Sequence, residues 1–129
     1  MKFREFYTSS KKLILCGKSA EQNEELIKKN LSPEETVLHT RAPGSPFCVI
    51  KNNKPTTKDI KETAIICAAF SKDWKKNKKN VEVHVFKAST ISKQKGMKPG
   101  TFSVKNAKGM IVKKPAIIKF LEDLNRLSK

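Results

Sequence analysis

Hydrophobic positions along the chain come in short runs that switch between the two-residue period of strands and the three-to-four-residue period of helices. Residues 3–8 and 13–17 read as two short strands around the polar turn Ser9-Ser10-Lys11-Lys12. Helix signals follow at once. Ser19 with Gln22 forms a capping-box pair, Glu21, Glu24 and Glu25 favour the positive helix N-terminus, and Lys28 and Lys29 favour its C-terminal end. The apolar content of this helix is thin, mainly Ala20, Leu26 and Ile27, which predicts a helix lying on the surface of a sheet.

Two more strands are predicted over 35–39 and 47–51, joined by the loop Thr40-Arg41-Ala42-Pro43-Gly44-Ser45-Pro46. Thr56 with Asp59 then opens a central helix whose Ile60, Ala64, Cys67 and Ala68 share one face. Residues 64–70 are apolar nearly all round, so this helix should pack deepest, and the basic stretch 72–80 should end it. Residues 81–87 alternate, with Val81, Val83 and Val85 on one face and Glu82, His84 and Phe86 on the other. Residues 92–100 read as a Lys- and Gly-rich loop. A hairpin is expected from 101–104 and 110–113 around Asn106-Ala107-Lys108-Gly109. Pro115 suits the first turn of a last helix with the stripe Ile117, Phe120, Leu121 and Leu124. The order ββαββαβββα has no regular βαβ alternation. It predicts an α+β fold, a mixed or antiparallel sheet covered by about three helices, with residues 1–129 forming one domain.

Charge changes the picture from fold to function. Lys and Arg total 28 against 12 acidic residues, a formal net charge of +16. Folding does not require such an excess, because self-repulsion works against the compact state, whereas a polyanionic partner offsets it. The three cysteines, Cys16, Cys48 and Cys67, are scattered through apolar segments and include no CxxC pair. They read as buried free thiols in a reducing cytosol, not as a disulfide framework or a metal site. No apolar run approaches the ~20 residues that span a bilayer, and the N-terminus shows no signal-peptide pattern, so a cytoplasmic protein without a membrane partner is expected.

Three constellations are candidates for contact with such a partner. The first is His39, Arg41 and Ser45, a ring donor, a planar guanidinium and a hydroxyl on one tight loop, a set suited to phosphate. The second is Lys93, Lys95 and Lys98 in a loop where Gly96 and Gly100 let the backbone approach a sugar–phosphate chain. The third is Trp74 amid Lys72, Lys75, Lys76, Lys78 and Lys79, where an indole can stack on an unpaired base. Each has a plainer alternative: an ordinary polar turn, a solvated connection and a core tryptophan. Ser45 and His39 lack a strained nucleophile elbow or a third member, and no carboxylate cluster, Walker loop or dinucleotide loop is present. The expectation is a binding protein that is not an enzyme, with no cofactor, no metal and no small-molecule substrate.

Several motifs resemble one family in order. They are Phe3-Arg4-Glu5-Phe6-Tyr7-Thr8-Ser9-Ser10, then Leu13-Ile14-Leu15-Cys16-Gly17-Lys18-Ser19-Ala20-Glu21-Gln22-Asn23, then His39-Thr40-Arg41-Ala42-Pro43-Gly44-Ser45 with the following strand, Ser92-Lys93, Gly96-Met97-Lys98-Pro99-Gly100, and finally residues 110–115. Together they are similar to the NFACT-R domain, the RNA-binding part of large ribosome-quality-control factors that engage stalled large subunits and tRNA. The resemblance implies RNA binding, to tRNA or large-subunit rRNA, in a stand-alone version like the small archaeal members. It implies that His39, Arg41, Ser45, Lys93, Lys95 and Lys98 meet RNA. Many large members carry a histidine directly after the Gly-Ser, where this chain has Pro46, and the resemblance reaches none of their other domains. Their peptide-tailing activity is therefore not carried over. A general nucleic-acid or polyanion binder and a ribosome-docking protein adaptor stay open as alternatives, because charge alone does not separate them.

Overall fold

A computed structural model describes residues 2–127. The elements in chain order are β1 (Arg4–Tyr7), β2 (Leu13–Cys16), α1 (Ala20–Lys29), β3 (Thr36–Thr40), β4 (Cys48–Ile50), α2 (Thr57–Ala69), α3 (Lys72–Asn77), β5 (Val81–Lys87), β6 (Ile91–Ser92), β7 (Ser103–Val104), β8 (Lys108–Val112) and α4 (Lys114–Leu127). A six-stranded sheet in the order β1-β2-β4-β3-β5-β8 carries the fold, and β6 and β7 form a separate two-stranded ribbon. Every pairing among the described residues is antiparallel. The α+β expectation holds, with the antiparallel alternative realised.

Strand alternation sends successive apolar residues to opposite faces, and both faces are covered. On one face Ile14, Cys16, Leu38, Cys48, Ile50, Val81 and Val83 meet α2, Trp74 of α3 and Ile117 of α4. On the other face Val37, Val49 and Phe86 meet Phe47 and the Leu26–Ile27 pair of α1, with Phe102 and Val104 packed alongside. Two buried faces explain why β2 and β4 read as continuous apolar runs.

Two expectations are corrected. The basic stretch after α2 does not simply close that helix but begins a fourth one. Ser71 adopts an extended conformation, its hydroxyl donates to the Ala68 carbonyl at 2.6 Å, and it accepts from the Trp74 amide at 3.1 Å. That N-cap starts α3 and turns Trp74 into the core, where it is 5% exposed. The second correction concerns the expected hairpin of 101–104 with 110–113. Residues Ser103–Val104 pair with Ile91–Ser92, while Lys108–Val112 pairs with β5 through a five-residue register from Val81↔Val112 to Val85↔Lys108. Burial decides this, because Val104 and Phe102 pack on the α1 face of the sheet and Val112 and Met110 on the opposite one.

The three thiols, distant in sequence, converge in the core and remain free. Cys16 and Cys48 are cross-strand neighbours with sulfurs 3.0 Å apart, and the Cys67 thiol donates to the Pro46 carbonyl at 3.6 Å. Burial pushes the Cys48 thiol well above its usual range, which keeps it protonated.

The start of α2 is fixed by a complete capping box, Thr56 accepting from the Asp59 amide and Asp59 accepting from the Thr56 amide. Asp59 also pairs with Lys12 at 2.7 Å and accepts from the Ser10 hydroxyl at 2.7 Å, which ties the β1–β2 turn to the helix. Lys12 first, then Ser10 and the Thr56 amide, hold the Asp59 carboxyl well below the usual aspartate range. A folded-state pKa below the unfolded value stabilises the fold above the unfolded value, and that contribution is lost as pH falls below it. Stability should therefore drop as pH falls through about 3.8, the ordinary aspartate value. Asp59→Asn should lower stability at pH 7 and shrink the difference between pH 7 and pH 3, read from thermal melts. An unchanged acid loss in Asp59→Asn contradicts this assignment.

Candidate nucleic-acid interface

The C-terminal ends of β2 and β3 and the start of β4 open into a groove of about 760 Å³, lined by residues from both faces of the sheet. Its walls are the first turn of α1, the loop after β3, the first turn of α3 and the segment 99–102. The side-chain chemistry is one-sided. Arg4, Lys18, Arg41, Lys72 and Lys75 line the groove, and no carboxylate does. None of these five cations forms an ion pair among the described residues, whereas Glu24, Glu25, Glu35, Asp59, Glu82 and Asp123 are all engaged with cations or a histidine.

Local structure explains why the walls stand where they do. Ser19 caps α1 by accepting from the Gln22 amide, while the Gln22 side chain accepts from the Lys18 amide instead of the Ser19 amide that a full box would use. Lys18 thus projects beside the helix N-terminus, where the first-turn amides and the helix dipole favour an anion. One turn on, Asn23 accepts from the Phe47 amide at 3.1 Å and donates to the Ser45 carbonyl at 3.4 Å. Its side chain occupies the space beside Gly17, where an added Cβ would fall 2.1 Å from the Asn23 oxygen. Across the groove, Gly44 has φ +92° and its carbonyl accepts from the Lys72 amide at 2.8 Å, so the loop after β3 sits directly on the start of α3. A side chain at Gly44 would strike Lys72 at 2.6 Å.

The sequence candidates take different places. His39, Arg41, Ser45 and Lys75 all line this groove. Arg41 is exposed, and its amide extends the β3–β5 ladder by donating to the Glu82 carbonyl. Ser45 is buried, accepting from the Thr40 amide at 3.0 Å and donating to the Pro46 carbonyl, so its hydroxyl closes the loop instead of pointing outward. The His39 ring lies 4.4 Å from Phe47 and donates from Nδ1 to the Thr40 carbonyl at 2.7 Å. Burial pushes the His39 imidazole below its usual range, opposed by that hydrogen bond, so the ring is a neutral wall and not a cation. Its cross-strand neighbour His84 also faces the groove and contacts Glu82 at 3.1 Å.

Lys95 and Lys98 are exposed but stand outside the groove lining, on the loop whose end forms one wall. Lys93 turns inward, bonded to Glu24, to the Lys98 and Thr101 carbonyls and to the face of Phe102. Trp74, buried in the core, is unavailable as a stacking platform; Lys78 lies over its ring. Arg4 and Lys18 were missed by sequence reasoning. Lys18 had a usable signal, since it directly precedes a helix N-cap. Arg4 had none: its guanidinium lies 4.2 Å over the Phe70 ring, a contact only the folded chain creates. No helix among the described residues is long and apolar enough to cross a membrane.

The chain is similar to known proteins over most of its length. The profile of the NFACT protein RNA binding domain matches residues 2–106, a span that holds every groove-lining residue except Ala107. The chain is 39% identical over 98 residues to the "Rqc2 homolog RqcH" of Bacillus subtilis, covering 74% of this chain and 17% of that protein. It is 31% identical over 83 residues to the "Archaeal Rqc2 homolog aRqcH" of Methanocaldococcus jannaschii, covering 63% of this chain and 12% of the relative. The chain therefore spans under a fifth of the length of these relatives. The C-terminal structure of the fibronectin/fibrinogen-binding protein from Streptococcus suis superposes with a TM-score of 0.80 at 27% identity, over 92% of this chain and 49% of that one.

Asn23 generates the testable consequence of this arrangement. Asn23→Ala leaves a buried amide and a buried carbonyl without their partner, and each such group costs about 1–3 kcal/mol. Urea unfolding should show a loss on that scale. A change within about 0.5 kcal/mol, typical of surface substitutions, contradicts the bridging role. The fold, the groove and the matched span lead to one assignment: the chain belongs to the NFACT protein RNA binding domain family.

Proposed function

We propose that the groove binds RNA in ribosome-associated quality control, holding the backbone of tRNA or large-subunit rRNA, and that the protein acts in the cytoplasm as a binding module without catalysis. The observation that carries this reading is the set of five cations, none in an ion pair among the described residues, around a groove with no carboxylate in its lining. The names of the relatives, Rqc2 homologs and a "Ribosome quality control complex subunit NEMF" from Homo sapiens and Mus musculus, support the setting. Arg41 offers a planar fork for bidentate phosphate contact, and Lys72 and Lys75 stand across the loop as point charges. The first turn of α1, with Lys18 beside it, supplies backbone amides to a further phosphate. Lys95 and Lys98 extend the positive surface beyond the wall, where they steer the polyanion more than they fix it.

If ~5 phosphates are neutralised, log affinity should fall with log salt at a slope of about −3.5 to −4.5, depending on strandedness. Arg41→Lys keeps the charge and loses the fork, so it should weaken binding to a tRNA-like hairpin by about 1–2 kcal/mol, the scale of charge-assisted hydrogen bonds. Lys75→Arg should change little. Fluorescence anisotropy at one fixed salt concentration, with melting curves for both variants, reads the comparison. Equal affinities for Arg41→Lys and wild type remove the bidentate contact, and a flat salt titration removes the electrostatic reading.

A further inference from the structure

The wall formed by residues 99–102 belongs to a segment that runs between β6 and β7 without forming a strand ladder. A carboxylate on the neighbouring helix ties it down. Glu24 Oε1 accepts from Lys93 Nζ at 3.0 Å and from the Gly100 amide at 2.7 Å, while its second oxygen pairs with Lys28 at 2.8 Å. The same Lys93 ammonium donates to the Lys98 carbonyl at 2.5 Å and to the Thr101 carbonyl at 2.8 Å, and it lies 4.6 Å from the Phe102 ring centre. One acid and one base thus gather both ends of the loop. Gly100 completes the contact with φ +78°, packed so closely on the first turn of α1 that an added Cβ would meet Ala20 backbone at 2.9 Å. Pro99, Gly100, Thr101 and Phe102, the residues so held, line the groove.

We propose that Glu24 is a positioning residue for RNA binding: an acidic latch that strengthens the hold on a polyanion by building one wall of the groove. This rests on the groove being the RNA site. Lys28, the Gly100 amide and Lys93, in that order, hold the Glu24 carboxyl down at about 2, so the latch stays charged throughout the physiological range. Simple electrostatics makes the opposite claim. Removing an acid from a chain of net charge +16 should favour polyanion binding or leave it unchanged.

Glu24→Gln separates the two, with Glu25→Gln as the charge-matched control. Glu25 is the next residue on the same helix, and its carboxylate pairs with Lys29 at 3.5 Å. Anisotropy with a tRNA-like hairpin should show Glu24→Gln binding more weakly by roughly three- to tenfold, less than the loss of one direct charge-assisted hydrogen bond, because a wall is loosened and no phosphate contact is removed. Glu25→Gln should bind at least as well as wild type. Hydrogen exchange on the RNA-free proteins supplies a readout that does not depend on RNA: residues 93–101 should exchange faster in Glu24→Gln and not in Glu25→Gln. Should Glu24→Gln fail to fold, Gly100→Ala opens the latch from the loop side with no change in charge, and the same weakening is expected. Affinity in Glu24→Gln equal to or tighter than in Glu25→Gln overturns the proposal, as does unaltered exchange at 93–101. If wild type and Glu25→Gln themselves fail to bind RNA, the groove reading falls and Glu24's role in RNA binding falls with it. The exchange data then judge the latch geometry alone.

Discussion

The arrangement of the groove depends on the side-chain amide of Asn23. From α1 it reaches both the end of β2 and the loop into β4, through the space beside Gly17, the Phe47 amide and the Ser45 carbonyl. An amide suits this position because it carries an acceptor and a donor on adjacent atoms, and both are used in a buried setting where an unpaired polar group is costly. With that bridge in place the first turn of α1 is aimed at the loop after β3. Ser45 then closes that loop through Thr40, and Gly44 seats it on α3. Two walls of the groove meet at this one residue.

Charge is sorted on the same scaffold. Folded-state carboxylates are placed against particular lysines: Asp59 with Lys12, Glu35 with Lys51, Glu24 with Lys28 and Lys93. These pairs join turns and loops to neighbouring elements, and among the described residues no carboxylate pairs with a groove cation. Concentrating unpaired positive charge in a concave site opposes folding through self-repulsion, and a bound phosphate chain relieves it. The aromatic floor around Phe47 and the neutral His39 ring adds apolar area beneath the cations, so the groove offers more than a charged surface.

How much of this was legible in the sequence varied with the range of the interactions. Strands β1 to β5 and the helices with Ser19 and Thr56 caps were readable because period and capping chemistry are local. The Ser71 cap was equally local, yet the run of lysines after it looked like a helix end and hid α3. The partner of β8 was not readable, since two short segments flanking a polar turn satisfy a hairpin pattern equally well. Which face of the sheet each segment buries decides the matter, and that is a long-range property. At the groove, residue types pointed to the loop containing Arg41, but sequence could not tell an outward side chain from an inward one. Lys93 is engaged by Glu24, 69 positions away, while Ser45 turns its hydroxyl inward to the nearby Thr40 and Pro46, an orientation that only the folded loop sets. The convergence of Cys16, Cys48 and Cys67 is of the same kind.

Lysine footprinting of the RNA complex tests the central claim most directly. The protein with and without a tRNA-like hairpin is acetylated briefly under low-salt conditions, and modification is quantified at each lysine by mass spectrometry. Lys18, Lys72 and Lys75 line the groove, while Lys58, Lys61 and Lys119 are exposed and lie outside it. If the groove holds the RNA backbone, the first three become protected and the last three keep their reactivity. Protection of Lys58, Lys61 or Lys119 with Lys18, Lys72 and Lys75 unchanged would place the RNA elsewhere and contradict the account.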